Sequence, residues 1–143
     1  MAAPDWLQHI KWSKPHRLSD LIADMKLIPD FEGFYAFNED PGKLEVGRVL
    51  YIGETGQEGG LRSRLRTYLH PDPVNGPIVK HSGCIWIYHH RINVSSDDKI
   101  YLRWSGWESD KRTRMGVETG LMQYYQAWYN KRQMKKVSDL ETI

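Results

Sequence analysis

Apolar positions along this chain fall into two rhythms, one of helices and one of strands. Residues 15–28 place Leu18, Leu21, Ile22, Met25 and Ile28 at helical spacing between Pro15 and Pro29, which predicts a helix. Residues 33–38 (GFYAFN) and 48–52 (RVLYI) are short, apolar and aromatic, and read as two strands. The connector 39–47, with Pro41-Gly42 at its tip, joins them as a hairpin. A glycine-rich loop from Gly53 to Gly60 follows. Residues 60–69 then set Leu61, Leu65, Tyr68 and Leu69 on one face of a short helix. Residues 84–92 (CIWIYHHRI), rich in β-branched and aromatic side chains, read as a third strand. Residues 99–104 (KIYLRW) read as a further strand or as part of an insertion. The longest helix runs from about Met115 to Lys131. Together these elements predict one α/β (α+β) domain, a small antiparallel three-stranded sheet flanked by helices. An N-terminal helical segment covers about 1–30, the core about 31–131, and a basic and polar tail 132–143.

The 143 residues suit one domain, and a 40% hydrophobic, 27% charged composition is that of an ordinary globular protein. A single cysteine, Cys84, excludes an intrachain disulfide and fits a reducing compartment, so a cytoplasmic location is expected. No apolar run approaches the ~20 residues of a membrane span, and the N-terminal stretch MAAPDWLQHIKW lacks the apolar core of a secretory signal. The net charge of +2 does not announce a polyanion binder, but its distribution is uneven. Basic residues gather at Arg62, Arg64 and Arg66, at Lys111, Arg112 and Arg114, and at Lys131, Arg132, Lys135 and Lys136. Such clusters form a basic face for a polyanion or, equally, solvated helix faces.

Several residues sit where packing alone does not explain them. Leu121, Met122, Tyr125, Trp128 and Tyr129 make an apolar stripe on the last helix, and one turn back the stripe lands on Glu118. A carboxylate there is paired, bound to a metal, or bent to solvent at the first turn. Arg64 and Tyr68 are four residues apart and so stack on one helix face. Arg64 is then either a fork for a phosphate or a guanidinium snorkelling over the core. By period 2, Tyr35 shares a strand face with Gly33 and Phe37, and Tyr51 with Gly53 and Val49. Taken singly, each tyrosine reads as core.

Taken in order, Gly33-Phe34-Tyr35 and Tyr51-Ile52-Gly53 resemble the two motifs that name the GIY-YIG nuclease superfamily. Thr55 stands where that family often has Ser or Thr. Leu61-Arg62-Ser63-Arg64 through Tyr68-Leu69 is similar to the helix of its excision-repair nuclease, which carries an Arg at the position of Arg64 and a Tyr at that of Tyr68. Glu118, followed twelve residues later by Asn130, resembles the family's metal-binding Glu and structural Asn. The fifteen residues between Tyr35 and Tyr51 exceed the usual gap, Phe34 replaces Ile, and the proline common before the Asn is absent. Where many restriction enzymes of the family have His, this chain has Tyr68.

The resemblance implies a metal-dependent endonuclease that hydrolyses DNA to 5′-phosphate and 3′-hydroxyl ends, with Mg²⁺ or Mn²⁺ on Glu118. It implies that Arg64 neutralises the phosphate and that Tyr35 orients or deprotonates the attacking water. Tyr51 would position a phosphate or water, and Tyr68 would support Arg64 or contact the phosphate. Arg62, Arg66, Asn130, Lys131 and Arg132 are the expected substrate contacts. No membrane partner is expected, and the oligomeric state stays open. Two rivals stand beside this reading. One is a catalytically inactive DNA-binding module on the same fold. The other is a protein-interaction module presenting Trp104 and Trp107.

Overall fold

The computed structural model describes residues 3–76 and 82–130. Lys131, Arg132, Lys135, Lys136 and the tail 132–143 lie outside the described residues. Four antiparallel strands form one sheet: β1 (His16–Arg17), β2 (Gly33–Asn38), β3 (Val49–Thr55) and β4 (Tyr101–Gly106), in the order β1-β4-β2-β3. The fold is therefore mixed α/β with a four-stranded sheet, one strand more than the pattern predicts. The extra pairing comes from the segment left open as strand or insertion and from the start of the segment read as a helix. KIYLRW supplies most of β4, beside β2, and residues 16–17 add a two-residue strand on its far side.

The N-terminal segment is not one helix. A 3₁₀ turn spans Asp5–His9, and α1 (Leu18–Ala23) is followed by a second 3₁₀ turn, Met25–Leu27. Residues 84–92 are helical, not a strand. α3 (Ser82–His89) runs into a π-helical turn, His90–Val94. Cys84, Ile87, Tyr88 and Arg91 are buried at offsets of three, four and seven, His90 is buried beside Arg91, and Ile85 and Ile92 are exposed. α2 (Gly60–Arg66) forms where expected. α4 (Lys111–Tyr125) begins earlier than predicted, because the Asp110 carboxylate accepts from the Thr113 N–H at 2.7 Å and caps it. It also stops earlier: Gln126 turns left-handed (φ 54°), and the chain leaves the helix axis there.

The β2–β3 hairpin pairs Tyr35 with Gly53 and Phe37 with Tyr51. A bulge then makes Leu50 the extra residue, so Asn38 opposes Val49. That bulge reverses the predicted facing of Val49. Tyr51 joins Tyr35, Phe37 and Leu102 in the core under α1, α2 and α3, while Val49 joins Phe34, Ala36 and Ile52 in a second core. The second core is closed by Leu121 and Tyr125 of α4 and by Ile10 near the N-terminus. Arg103, reaching from β4, donates to the Asn38 side chain at 2.6 Å and to the carbonyls of Asp40 and Gly42. It thereby pins the long hairpin connector to the sheet.

Candidate active site

β3 is an edge strand, and the two layers meet beside it. From one layer come three phenols and a guanidinium. Tyr35 has a place to lie because its cross-strand neighbour, Gly53, has no side chain; a Cβ there would overlap the Tyr35 ring. Tyr35 Oη and Tyr68 Oη are hydrogen-bonded at 2.8 Å, and Arg64 Nε faces Tyr35 Oη at 3.4 Å. The Tyr51 ring lies 6.4 Å from that of Tyr68. Gly83 of α3 lets the two come together, since a Cβ there would sit 2.6 Å from Tyr68 Oη and 2.7 Å from Tyr51 Oη. Tyr35, Tyr51, Tyr68 and Arg64 thus form one cluster, built from two strands and one short helix.

Burial decides what these phenols can do. Tyr35 is 1% exposed, and desolvation pushes its phenol far above the ordinary value; the charges and hydrogen bonds of Arg64 only partly offset this. Tyr68 is pushed up by burial as well, with the neighbouring phenols acting in the same direction. Both hydroxyls stay protonated at neutral pH. Tyr35 therefore does not match its expected role of deprotonating water, although it can still hold and orient Arg64. Tyr51 retains more exposure, at 9%.

From the other layer comes Glu118, half-buried on α4. Burial, and then the carboxylate of Glu54, push its carboxyl up to about 7. The Glu54 main-chain N–H and the guanidinium groups of Arg64 and Arg114 act in the opposite direction. Glu118 is therefore close enough to Arg64 to feel its charge, although α4 packs on the sheet face opposite the one that carries the phenol cluster.

Two residues of this neighbourhood escape sequence reasoning. Arg114, assigned by sequence to a basic cluster, is buried and ion-paired. It binds Glu54 through Nε, faces Glu32 at 3.4 Å, and covers Gly56 so closely that a Cβ there would overlap it. Glu54 is its partner from β3. The signal was present: the stripe that reaches Glu118 from Leu121 lands on Arg114 one turn further back. An open cleft of about 320 Å³ is lined by Glu54, Gly56, Gln57, Arg64, Lys111 and Arg114.

The expected substrate contacts fare unevenly. Arg62 donates to the Ile28 carbonyl at 2.7 Å and ties α2 to the segment before β2, so it acts as a strut. Arg66 is exposed on α2. Asn130 is 2% exposed, and its amide spans the main chain of Ile52: Oδ1 accepts from the Ile52 N–H at 2.8 Å and Nδ2 donates to its carbonyl at 3.0 Å. It clamps the sheet edge and is not at the surface, where a substrate contact was expected. His70 bonds locally to Asp72, and His89 and His90 belong to helical backbone, not to a strand end. Neither tryptophan of the interaction-module reading is bare. Trp104 stacks on His16 at 4.6 Å, and Trp107 packs on Phe34 at 5.6 Å.

Among the described residues, no helix is long and apolar enough to cross a membrane. Comparisons of the chain with protein-family models, with curated proteins and with solved structures found no match.

Proposed function

We propose that this chain is a metal-dependent endonuclease of GIY-YIG type, acting on DNA in the cleft beside β3. One observation carries the reading: Tyr35, Tyr51, Arg64 and Tyr68 form one cluster, and the charge of Arg64 reaches Glu118, although these residues are spread over more than eighty positions of sequence. An acid held half out of water beside a second carboxylate is a poor resident for a core and a good one for a cation.

The residues suit Mg²⁺ or Mn²⁺. Glu118 offers a hard oxygen donor, and Glu54 adds negative charge beside it, which a divalent ion relieves. When bound, such an ion supplies charge stabilisation at the scissile phosphate and at the departing 3′-oxygen. The chain's own groups do the rest. Arg64, backed by Tyr35 through Nε, directs its terminal nitrogens at the nonbridging phosphate oxygens. Tyr35 and Tyr68, both protonated, fix that guanidinium. Tyr51, the least buried of the three tyrosines, orients the attacking water through its hydroxyl. Water adds to phosphorus as the bond to the 3′-oxygen breaks, the attacking water giving its proton to solvent and the departing oxygen taking one from solvent, which leaves a 5′-phosphate and a 3′-hydroxyl.

The test is Glu118→Gln, which keeps shape and removes charge. Relaxation of supercoiled plasmid in Mg²⁺ should fall by roughly a thousandfold, and Mn²⁺ binding followed by electron paramagnetic resonance should weaken in parallel. A folded variant that cuts like the parent refutes the assignment. A parent protein that binds plasmid but never cuts it supports the inactive-module alternative.

A further inference from the structure

The cleft beside β3 holds three cations, and their situations differ. Arg114 is neutralised by Glu54 and Glu32 and donates also to the Ser109 carbonyl. Arg64 is anchored on a neutral phenol and keeps its charge free for a ligand. Lys111, the first residue of α4, lines the same cleft, is exposed, and makes no ion pair among the described residues. Two unneutralised cations on two different helices therefore share one cavity. Its volume of about 320 Å³ equals roughly ten waters at ~30 Å³ each, more than one phosphate group fills.

We infer that Lys111 is a substrate-binding residue that contacts a second phosphate, flanking the one held by Arg64. This rests on the nuclease reading and extends it: DNA lies across the cleft from the α2 side to the start of α4. The chemistry of the two cations suits the division. A planar guanidinium held from behind matches a phosphate whose geometry must be fixed. An ammonium on a flexible stem acts as a point charge that sets register on a backbone. Gln57, on the loop before α2, also lines the cleft and donates to the Ser63 hydroxyl at 3.1 Å.

The experiment is fluorescence anisotropy of a labelled DNA duplex with the full chain, in EDTA so that nothing is cut, over a range of salt concentrations. Each phosphate contact contributes about 0.9 to the slope of log affinity against log salt for a duplex. Lys111→Gln should lower the slope by about 0.9 and the affinity by roughly eightfold at 0.1 M salt. Lys111→Arg should restore both. Arg112→Gln, which removes the neighbouring exposed charge, should leave the slope unchanged. A Lys111→Gln slope equal to that of the parent, or an equal drop in Arg112→Gln, overturns the inference while parental cutting of plasmid in Mg²⁺ keeps the nuclease reading alive. A parent that neither binds duplex nor cuts plasmid overturns both.

Discussion

The two helices that supply the cleft hold their key groups in opposite ways. α2 is short and fastened on several sides. Arg62 ties it to the Ile28 carbonyl, Tyr68 is bonded to Tyr35, and buried Arg91 reaches from the π-helical turn to the carbonyls of Tyr68 and His70, both at 2.8 Å. Arg91 is itself fixed by Asp97, at 2.6 and 2.9 Å. α4 is twice as long, yet only Arg114, Leu121 and Tyr125 are buried on it. Its acid sits beside another acid. The lesson is that the cation's position is fixed by packing and hydrogen bonds, whereas the carboxyl sits where burial and a neighbouring acid disfavour its charge. A rigid donor suits a developing negative charge, and such an acid gains from a cation that comes and goes.

If α2 is anchored from behind, Arg91→Leu should be the most damaging change, costing about 3–5 kcal/mol in urea unfolding. It leaves Asp97 and two carbonyls without their partner in a buried setting. A variant as stable as the parent would break the contrast between the two helices. Arg64→Ala removes the group that all this anchoring presents. It should slow plasmid cutting by about 10²–10³-fold at unchanged unfolding midpoint, because one face of Arg64 is open. Loss of fold would instead make Arg64 part of the core. Gly53→Ala pushes a methyl into the Tyr35 ring and should cost about 1–3 kcal/mol, read as a lower melting temperature. The smallest effect concerns His90. It is buried against Tyr129 at 2.7 Å and Glu39 at 3.0 Å, and burial lowers its pKa below the ordinary 6.5 despite Glu39. The fold therefore holds the neutral ring: its contribution is complete above pH 6.5 and is lost as pH falls from there through the folded value. Melting curves between about pH 7 and pH 5 should show under about 1 kcal/mol of loss that His90→Gln does not share.

The hairpin and α2 were legible because GFYAFN and RVLYI are short apolar and aromatic runs and Leu61, Leu65, Tyr68 and Leu69 share one helical spacing. The bulge at Leu50, which breaks the strand period, left no mark in the sequence. The segment CIWIYHHRI misled because Ile85 and Ile92 are apolar yet exposed, and they blur the helical repeat carried by Cys84, Ile87, Tyr88 and Arg91. The π turn adds a second distortion by turning His90 and Arg91, adjacent in sequence, both inward. Within the site, the single polar residue on an apolar stripe pointed to Glu118. The stripe pointed to the place of Arg114, but nothing local pointed to its ion pairs, whose partners Glu54 and Glu32 are 60 and 82 residues away. The fate of Tyr35 as a base was also hidden, since it depends on how completely α2 and α3 cover the sheet.

The Asn130 amide on Ile52 has a consequence beyond the cleft. A bare outer strand is a template on which another chain can lay a strand of its own, the usual start of fibrils and runaway assembly. Here the side chain of Asn130 sits in the seat an incoming backbone would take, while the opposite rim ends in the two-residue β1, too short to recruit anything. The residue expected to touch substrate thus acts instead as a stopper against polymerisation.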